Sequence, residues 1–412
     1  VKVVEKNYIL QRKTEMGETT ELGRELRRIR LGFLSSLDKI SIFPSPGGFL
    51  DWQLELLNEL IRTETELKGR KNEDWSTHKN RLRILGDTAA WKVLDPYIIR
   101  LLGRGDYIPP GLASQAQSLG HVINTAKEMT ERGLAVVLCD LTRVLRCGDL
   151  IAVTEKNEII VCECKDRNAP KDLGITGRSA RQAKKMESVS DFINFGLEAT
   201  PLEEDGSLWL PFPNGSSASY TWDIIEEAVD EALEYGCSSK GIEKGNLVFS
   251  LSEDYEGPIP EPPREFSPNR GASLQVAGHY RLIEDALTYE PPPTHWDLKL
   301  NTRFSLLECD VFLNHAYDTN YFLGLVSNDP KVEVTAVQES DFRVTRDSFS
   351  FSFGRRYLND VAFGYQTLES TKKCLYDALG EFCSHDGPSM KFPPAKMSLA
   401  FVYRDLIFYK PR

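Results

Sequence analysis

The stretch RCGDLIAVTEKNEIIVCECKDR, residues 146–167, decides how this chain is read. It holds two β-rich runs, DLIAVT (149–154) and EIIVCECK (158–165), joined by the polar residues Glu155, Lys156 and Asn157. That pattern predicts a hairpin. Side chains alternate faces along a strand. Ile159, Val161, Glu163 and Lys165 therefore share one face, and Ile160, Cys162 and Cys164 the other. Both faces begin apolar, which predicts a strand buried on both sides.

Two charges then fall on one face at the strand's end. A buried charge costs several kcal/mol, to order of magnitude, unless it is paired or binds a metal. The position of Asp149 depends on the turn. A three-residue loop at 155–157 puts Asp149 opposite Glu163 on the same face, and Asn157 suits the left-handed position of such a loop. A two-residue loop would put Asp149 opposite Cys164 instead. Carboxylates on adjacent strands are hard oxygen ligands suited to Mg²⁺ or Mn²⁺. Such a cation acidifies bound water and screens a phosphate. The Cys164 carbonyl is a further candidate ligand, and Lys165 is placed to orient the water or neutralise developing charge.

Gly148-Asp149, an apolar strand, a turn and then Glu163-Cys164-Lys165 resemble the signature of the PD-(D/E)XK nuclease superfamily. The resemblance covers roughly residues 113–200. It implies an α/β, restriction-endonuclease-like mixed sheet flanked by helices, with Asp149 and Glu163 on the metal and Lys165 assisting catalysis. Cys147-Gly148 stands where the signature has its nominal proline. Several branches add a glutamine on the following helix, often with tyrosine four residues on. Gln182 is the counterpart here, and Met186 occupies the tyrosine's place. Many members also carry an acid on the helix before the sheet, for which Glu128 is preferred over Glu131. The segment after the motif carries Lys165, Arg167, Lys171, Arg178, Arg181, Lys184 and Lys185 against Asp166 and Asp172. This basic stretch is the expected substrate path, with Arg167, Arg178, Arg181, Lys184 and Lys185 holding nucleic acid.

Outward from the motif, helices are expected over 20–37, 50–67, 87–103 (Asp87 as N-cap, Pro96 as a break), 113–132, 179–195 and 222–235. Strands are expected at 134–140 and 246–253. The proline-rich stretch beginning EDYEGPIPEPPREFSPNRG (253–271) reads as a linker. From residue 296 the pattern is strand-dominated, with one helix near 367–383, and predicts a C-terminal β-rich α+β domain. The expected pieces are an N-terminal helical region (1–75), a nuclease domain (76–252), a linker (253–295) and a C-terminal interaction or nucleic-acid-guiding domain (296–412). Arg24, Arg27, Arg28 and Arg30 read either as phosphate contacts or, more simply, as a solvated helix face.

The net charge of −11 disfavours nonspecific nucleic-acid binding by the chain as a whole, so a nuclease needs the local basic patch or a partner that delivers substrate. No apolar run approaches the roughly 18 residues of a membrane helix. The N-terminus is too polar for a secretory signal, and the eight cysteines include no CxxC pair. A soluble, cytoplasmic protein without a membrane partner is expected. The six histidines are dispersed and offer no second metal site. The resulting expectation is an Mg²⁺- or Mn²⁺-dependent phosphodiesterase acting on DNA, with RNA as an alternative substrate. Its layout is similar to that of effector nucleases in anti-phage assemblies, either homo-oligomers or partners of a short Argonaute. The competing expectation is a nuclease-like but inactive scaffold or binding subunit, in which the three charges are a structural cluster.

Overall fold

The computed structural model describes residues 20–43, 45–69, 71–103, 112, 116–146, 148–165, 221–258, 266, 274–284, 291–338, 341–346, 349–353, 367–383, 397–403 and 406–410. The chain is mixed α/β and divides into two compact units, each assembled from separated pieces. The first takes residues 1–29, 214–285 and 296–384, and the second takes 30–213, 286–295 and 385–412.

The second unit carries the hairpin. Its five-stranded mixed sheet runs β1 (Ala135–Leu138), β2 (Leu150–Val153), β3 (Ile159–Lys165), β11 (Met397–Tyr403) and β12 (Leu406–Lys410) in that spatial order. The β1–β2, β2–β3 and β11–β12 pairs are antiparallel, and β3–β11 is parallel. Every residue of β1 and β2 is buried, as two-sided packing requires. In β3 the residues Ile159, Val161, Cys162 and Glu163 are buried.

Helices cover this sheet. Helix α5 (Ala116–Glu131) packs across β1, β2 and β3, while α2 (Gly47–Glu66) and α3 (Glu73–Val93) lie against β1. Helix α2 buries Phe49, Leu50, Gln53, Leu56, Leu57 and Leu60, a spacing of three and four residues that presents one face. Each such leucine contributes roughly 1.5–3 kcal/mol when fully buried. Gln53 does something different. Its amide Nε2 donates to the Val136 carbonyl at 2.6 Å, and its Oε1 accepts from Leu138 N–H at 2.9 Å. One side chain thus seals the outer edge of β1, where backbone groups would otherwise be left without a strand partner.

Several expectations change. The C-terminal run LAFVYRDLIFYK forms β11 and β12 of the hairpin's own sheet, so the chain's last residues do not close a separate domain. The reason is the outer edge of β3, whose backbone N–H and C=O groups β11 pairs in parallel. Asp87 is no N-cap: α3 begins at Glu73, capped by the Asn72 side chain accepting from Trp75 N–H at 3.0 Å. Pro96 does mark a break, opening α4 (Pro96–Leu102).

In the first unit, α6 (Trp222–Tyr235) ends on left-handed Gly236. It packs on an antiparallel sheet of β4 (Cys237–Glu243), β5 (Asn246–Ser252), β7 (Val311–Asp318) and β6 (Leu274–Gly278). Helix α7 (Tyr280–Glu284) follows β6. Two runs read as strands are helices: α8 (Leu300–Glu308) and α9 (Thr319–Ser327). Asp318 decides the second, its carboxylate accepting from Asn320 and Tyr321 N–H as an N-cap. A second sheet holds β8 (Val332–Gln338), β9 (Asp341–Arg346) and β10 (Phe349–Phe353), followed by α10 (Leu368–Cys383). The remaining helix, α1 (Glu21–Lys39), uses two of its arginines structurally. Arg27 makes a bidentate pair with Asp310, and Arg30 is buried against His78.

Candidate active site

The β2–β3 turn has the three-residue form. Thr154 N–H donates to the Glu158 carbonyl at 3.0 Å, enclosing residues 155–157, and Asn157 takes a left-handed φ of 60°. The register follows: Val153 pairs with Ile159 and Leu150 with Cys162. The ladder ends at the Leu150–Cys162 pair, so Asp149 and Glu163 both lie just beyond it, at the end of the sheet where β1 ends, β2 begins and β3 ends.

Asp149 is stitched into that end from three directions. Its N–H donates to the Cys162 carbonyl at 2.8 Å and its carbonyl accepts from Cys139 N–H at 3.1 Å. Its carboxylate Oδ2 accepts from Cys164 N–H at 2.6 Å. The glycine before it is required. Gly148 has φ 80°, and a Cβ there would sit 2.8 Å from Val161 Cγ1 and 3.0 Å from the Cys162 oxygen. A proline, with φ near −65°, could not take this conformation. The departure from the nominal signature at Gly148 therefore has a local steric cause.

Glu163 is 5 % exposed. The opposite face of β3 belongs to α5, since the Cys162 thiol lies 3.9 Å from Met129 Sδ. Glu128, one residue before Met129, is exposed on that helix. Alternation along β3 puts Glu163 on the other face, away from α5. Neither Glu128 nor the neighbouring Glu131, also exposed, is brought to Glu163.

Asp140 senses the charge of Glu163 and also that of Glu64, and the sequence alone assigned neither Asp140 nor Glu64 a role. Asp140 sits in the 3₁₀ turn Cys139–Leu141 that ends β1. Burial pushes its carboxyl up; the Arg83 guanidinium opposes this, and the charges of Glu163 and Glu64 push it further up. Glu64 comes from the last turn of α2, its side chain 7 % exposed, with Lys79 Nζ and Arg83 Nη2 each 3.5 Å from Oε1. Arg83 also donates from Nη1 to the Asp140 carbonyl at 2.9 Å. Asp140 had a legible signal, as the last residue of an apolar strand run antiparallel to the next. Glu64 had none, because nothing local says that α2 approaches the sheet end.

The segment joining β1 to β2 is held by α3. Asp87 is fully buried, and its carboxylate accepts from Arg143 N–H (2.6 Å), Val144 N–H (3.1 Å) and Arg143 Nε (2.7 Å). A buried carboxylate costs several kcal/mol, to order of magnitude, without such donors. Gly86 lets the helix come close: a Cβ there would lie 2.2 Å from the Leu141 oxygen.

Lys165 ends β3 with its Cα in register with Tyr403 of β11. Gln182, Arg167, Arg178, Arg181, Lys184 and Lys185 lie outside the described residues. Among the described residues, no three or more His, Cys, Asp or Glu side chains are grouped so as to hold a metal ion. The donors at the sheet end are nonetheless of the hard-oxygen type that Mg²⁺ takes, and Mg²⁺ keeps several waters and needs only one or two protein carboxylates.

Three histidines, His78, His279 and His315, are built into cores. His279 accepts at Nδ1 from Leu313 N–H (2.9 Å) and donates from Nε2 to the Leu306 carbonyl (3.1 Å). His78 accepts at Nδ1 from Arg30 (2.9 Å) and donates from Nε2 to Glu59 (2.8 Å). Burial, with Arg30 and Arg62 nearby, pushes His78 down to about 3. The Glu59 contact favours a proton, but the nitrogen that would take it already accepts from Arg30.

No family model, curated protein or solved structure matches this chain significantly. No helix among the described residues is long and apolar enough to cross a membrane.

Proposed function

We propose that this protein is a divalent-metal-dependent nuclease of the PD-(D/E)XK type, hydrolysing phosphodiester bonds of DNA, with RNA the alternative substrate. The observation that carries the reading is the hairpin: the 155–157 turn fixes the pairing of Leu150 with Cys162, and Asp149 and Glu163 flank that last pair at one end of a mixed, helix-covered sheet. That arrangement supports the restriction-endonuclease-like reading, because the signature requires these two carboxylates to meet. Asp149, Glu163 and the Cys164 carbonyl would hold Mg²⁺ or Mn²⁺. When bound, the cation acidifies water and neutralises phosphate charge. Lys165 orients the attacking water, Gln182 assists it, and Arg167, Arg178, Arg181, Lys184 and Lys185 hold the nucleic acid. The expected setting is an effector in a defence-type assembly, as a homo-oligomer or with a partner such as a short Argonaute.

A second reading has its own support. The Asp149 carboxylate accepts from Cys164 N–H, and no three-ligand acidic group is formed among the described residues. Both observations suit an inactive, nuclease-like scaffold. The two readings part on one experiment. The purified chain is incubated with supercoiled plasmid, single-stranded DNA or RNA, in Mg²⁺, Mn²⁺ or chelator. Cleavage that requires the cation and disappears in Glu163→Ala and Lys165→Ala supports the nuclease. Cation-dependent cleavage that persists in both variants sinks the site assignment. No cleavage of any substrate favours the scaffold.

A further inference from the structure

We infer that Asp87 is a positioning residue for the candidate site, acting through the segment 140–149. This rests on the nuclease reading for its functional meaning, though the geometry stands by itself. Arg83, Gly86 and Asp87 occupy one face of α3, at spacings of three and four residues. All three meet the same short stretch. Arg83 holds the Asp140 carbonyl, Gly86 admits the Leu141 carbonyl, and Asp87 takes the N–H groups of Arg143 and Val144. The stretch then delivers Gly148 and Asp149 to the end of β3.

The clamp fixes the loop's direction as well as its place. Arg143 bonds Asp87 through both its backbone N–H and its side-chain Nε, which closes a ring at one residue. Val144 N–H shares the Oδ1 that Arg143 N–H uses. Rotation of the 142–146 segment away from α3 would break all of these together. Asp149 sits five residues further on, with its carboxylate on Cys164 N–H and its carbonyl on Cys139 N–H. Loosening the clamp therefore lets Asp149 drift from the Cys139 and Cys164 amides while the β2–β3 ladder itself stays paired.

A residue that merely stabilises the fold would lower the folded fraction and leave each folded molecule unchanged. A positioning residue changes the folded molecule. The test is Asp87→Asn in the full chain, which keeps the shape but places an amide NH₂ against a donor. Backbone amide exchange is followed at Cys139 and Cys164, which report Asp149, and at Val161, which reports the core of β3. The expected result is exchange at Cys139 and Cys164 quickened at least tenfold with Val161 unchanged. Where the wild type cleaves, kcat per folded molecule falls at least tenfold at unchanged KM. A lowered Tm with Cys139 and Cys164 exchange and kcat unchanged overturns the inference. Should Asp87→Asn fail to fold, Arg143→Ala removes the Nε bond but keeps the backbone ones. It should quicken Cys164 exchange about threefold, and unchanged exchange there overturns the inference equally. A wild type that cuts nothing defeats the nuclease reading alone, because the exchange measurements still decide the clamp.

Discussion

The first unit's antiparallel sheet buries His279 and His315, and the second unit's mixed sheet buries Glu163, yet the surroundings differ in kind. Around the histidines every neighbour is an opposite number. Leu313 N–H gives to His279, Leu306 C=O takes from it, and His315 gives to the Asn246 side-chain oxygen. Asn246 in turn gives to Glu243, which accepts from Leu368 N–H. Donors and acceptors alternate, which is how a polar group is reconciled with a core. Around Glu163 lies one of its own kind, Asp140, whose carboxyl is pushed up by burial and by the charges of Glu163 and Glu64. Like charges gathered where three strand ends meet do not help folding. Sites that perturb ionisation in this way are enriched for function.

The largest effect should come from breaking the second region. Glu163→Ala is expected to lower cation-dependent cleavage on the order of 100-fold or more, the scale for losing one group that stabilises transition-state charge. Circular dichroism should show the fold retained. The matching change in the first region is His279→Ala. It leaves the Leu313 N–H and Leu306 C=O without their partner and opens a cavity, costing about 2–4 kcal/mol in urea unfolding. Activity per folded molecule should be unchanged. If His279→Ala spared stability and cut activity, the contrast between the two regions would be reversed.

That contrast was only half legible in the sequence. The hairpin was readable because its information is local: alternation fixed the faces of β3, and Asn157 disclosed the loop length and with it the register. The helix over 222–235 was readable for the same reason, from its apolar spacing and Gly236. What stayed hidden was set by distance along the chain. Glu64 reaches the sheet end only because α2 lies against β1, and β11 reaches β3 from more than 230 residues away. Asp87 misled in an instructive way. An aspartate before an apolar helical pattern looks like a cap, but its oxygens cap a different segment. The run YFLGLVS (321–327) read as a strand because its apolar residues are dense, and Asp318 makes it part of a helix by capping Thr319–Ser327.

Two pH measurements sharpen the comparison at moderate size. His78 is pushed down to about 3, so between its ordinary value near 6.5 and about 3 the unfolded chain holds a proton that the folded chain refuses. Its contribution to stability is therefore present above pH 6.5 and lost as the pH falls through that window. His78→Gln should flatten the slope by about one proton. Asp140 has the opposite sign. Its folded carboxyl is raised, chiefly by burial, so ionising it costs stability once the pH exceeds the unfolded value. Asp140→Asn should match the wild type near pH 3 and gain on it as the pH rises through the raised range, read as urea midpoints. In a Glu163→Ala background that gain should shrink. An undiminished gain would mean that Glu163 and Asp140 do not sense each other.

The smallest expected effect concerns the turn that sets the β2–β3 register. Asn157 has φ 60°, a conformation that costs an L-residue with a branched Cβ roughly 1–2 kcal/mol. Asn157→Gly should be neutral or slightly stabilising, and Asn157→Val should lose about 1 kcal/mol, measured as a shift in the urea midpoint. Activity should survive Asn157→Gly in full, because glycine keeps the three-residue loop and so the pairing of Leu150 with Cys162.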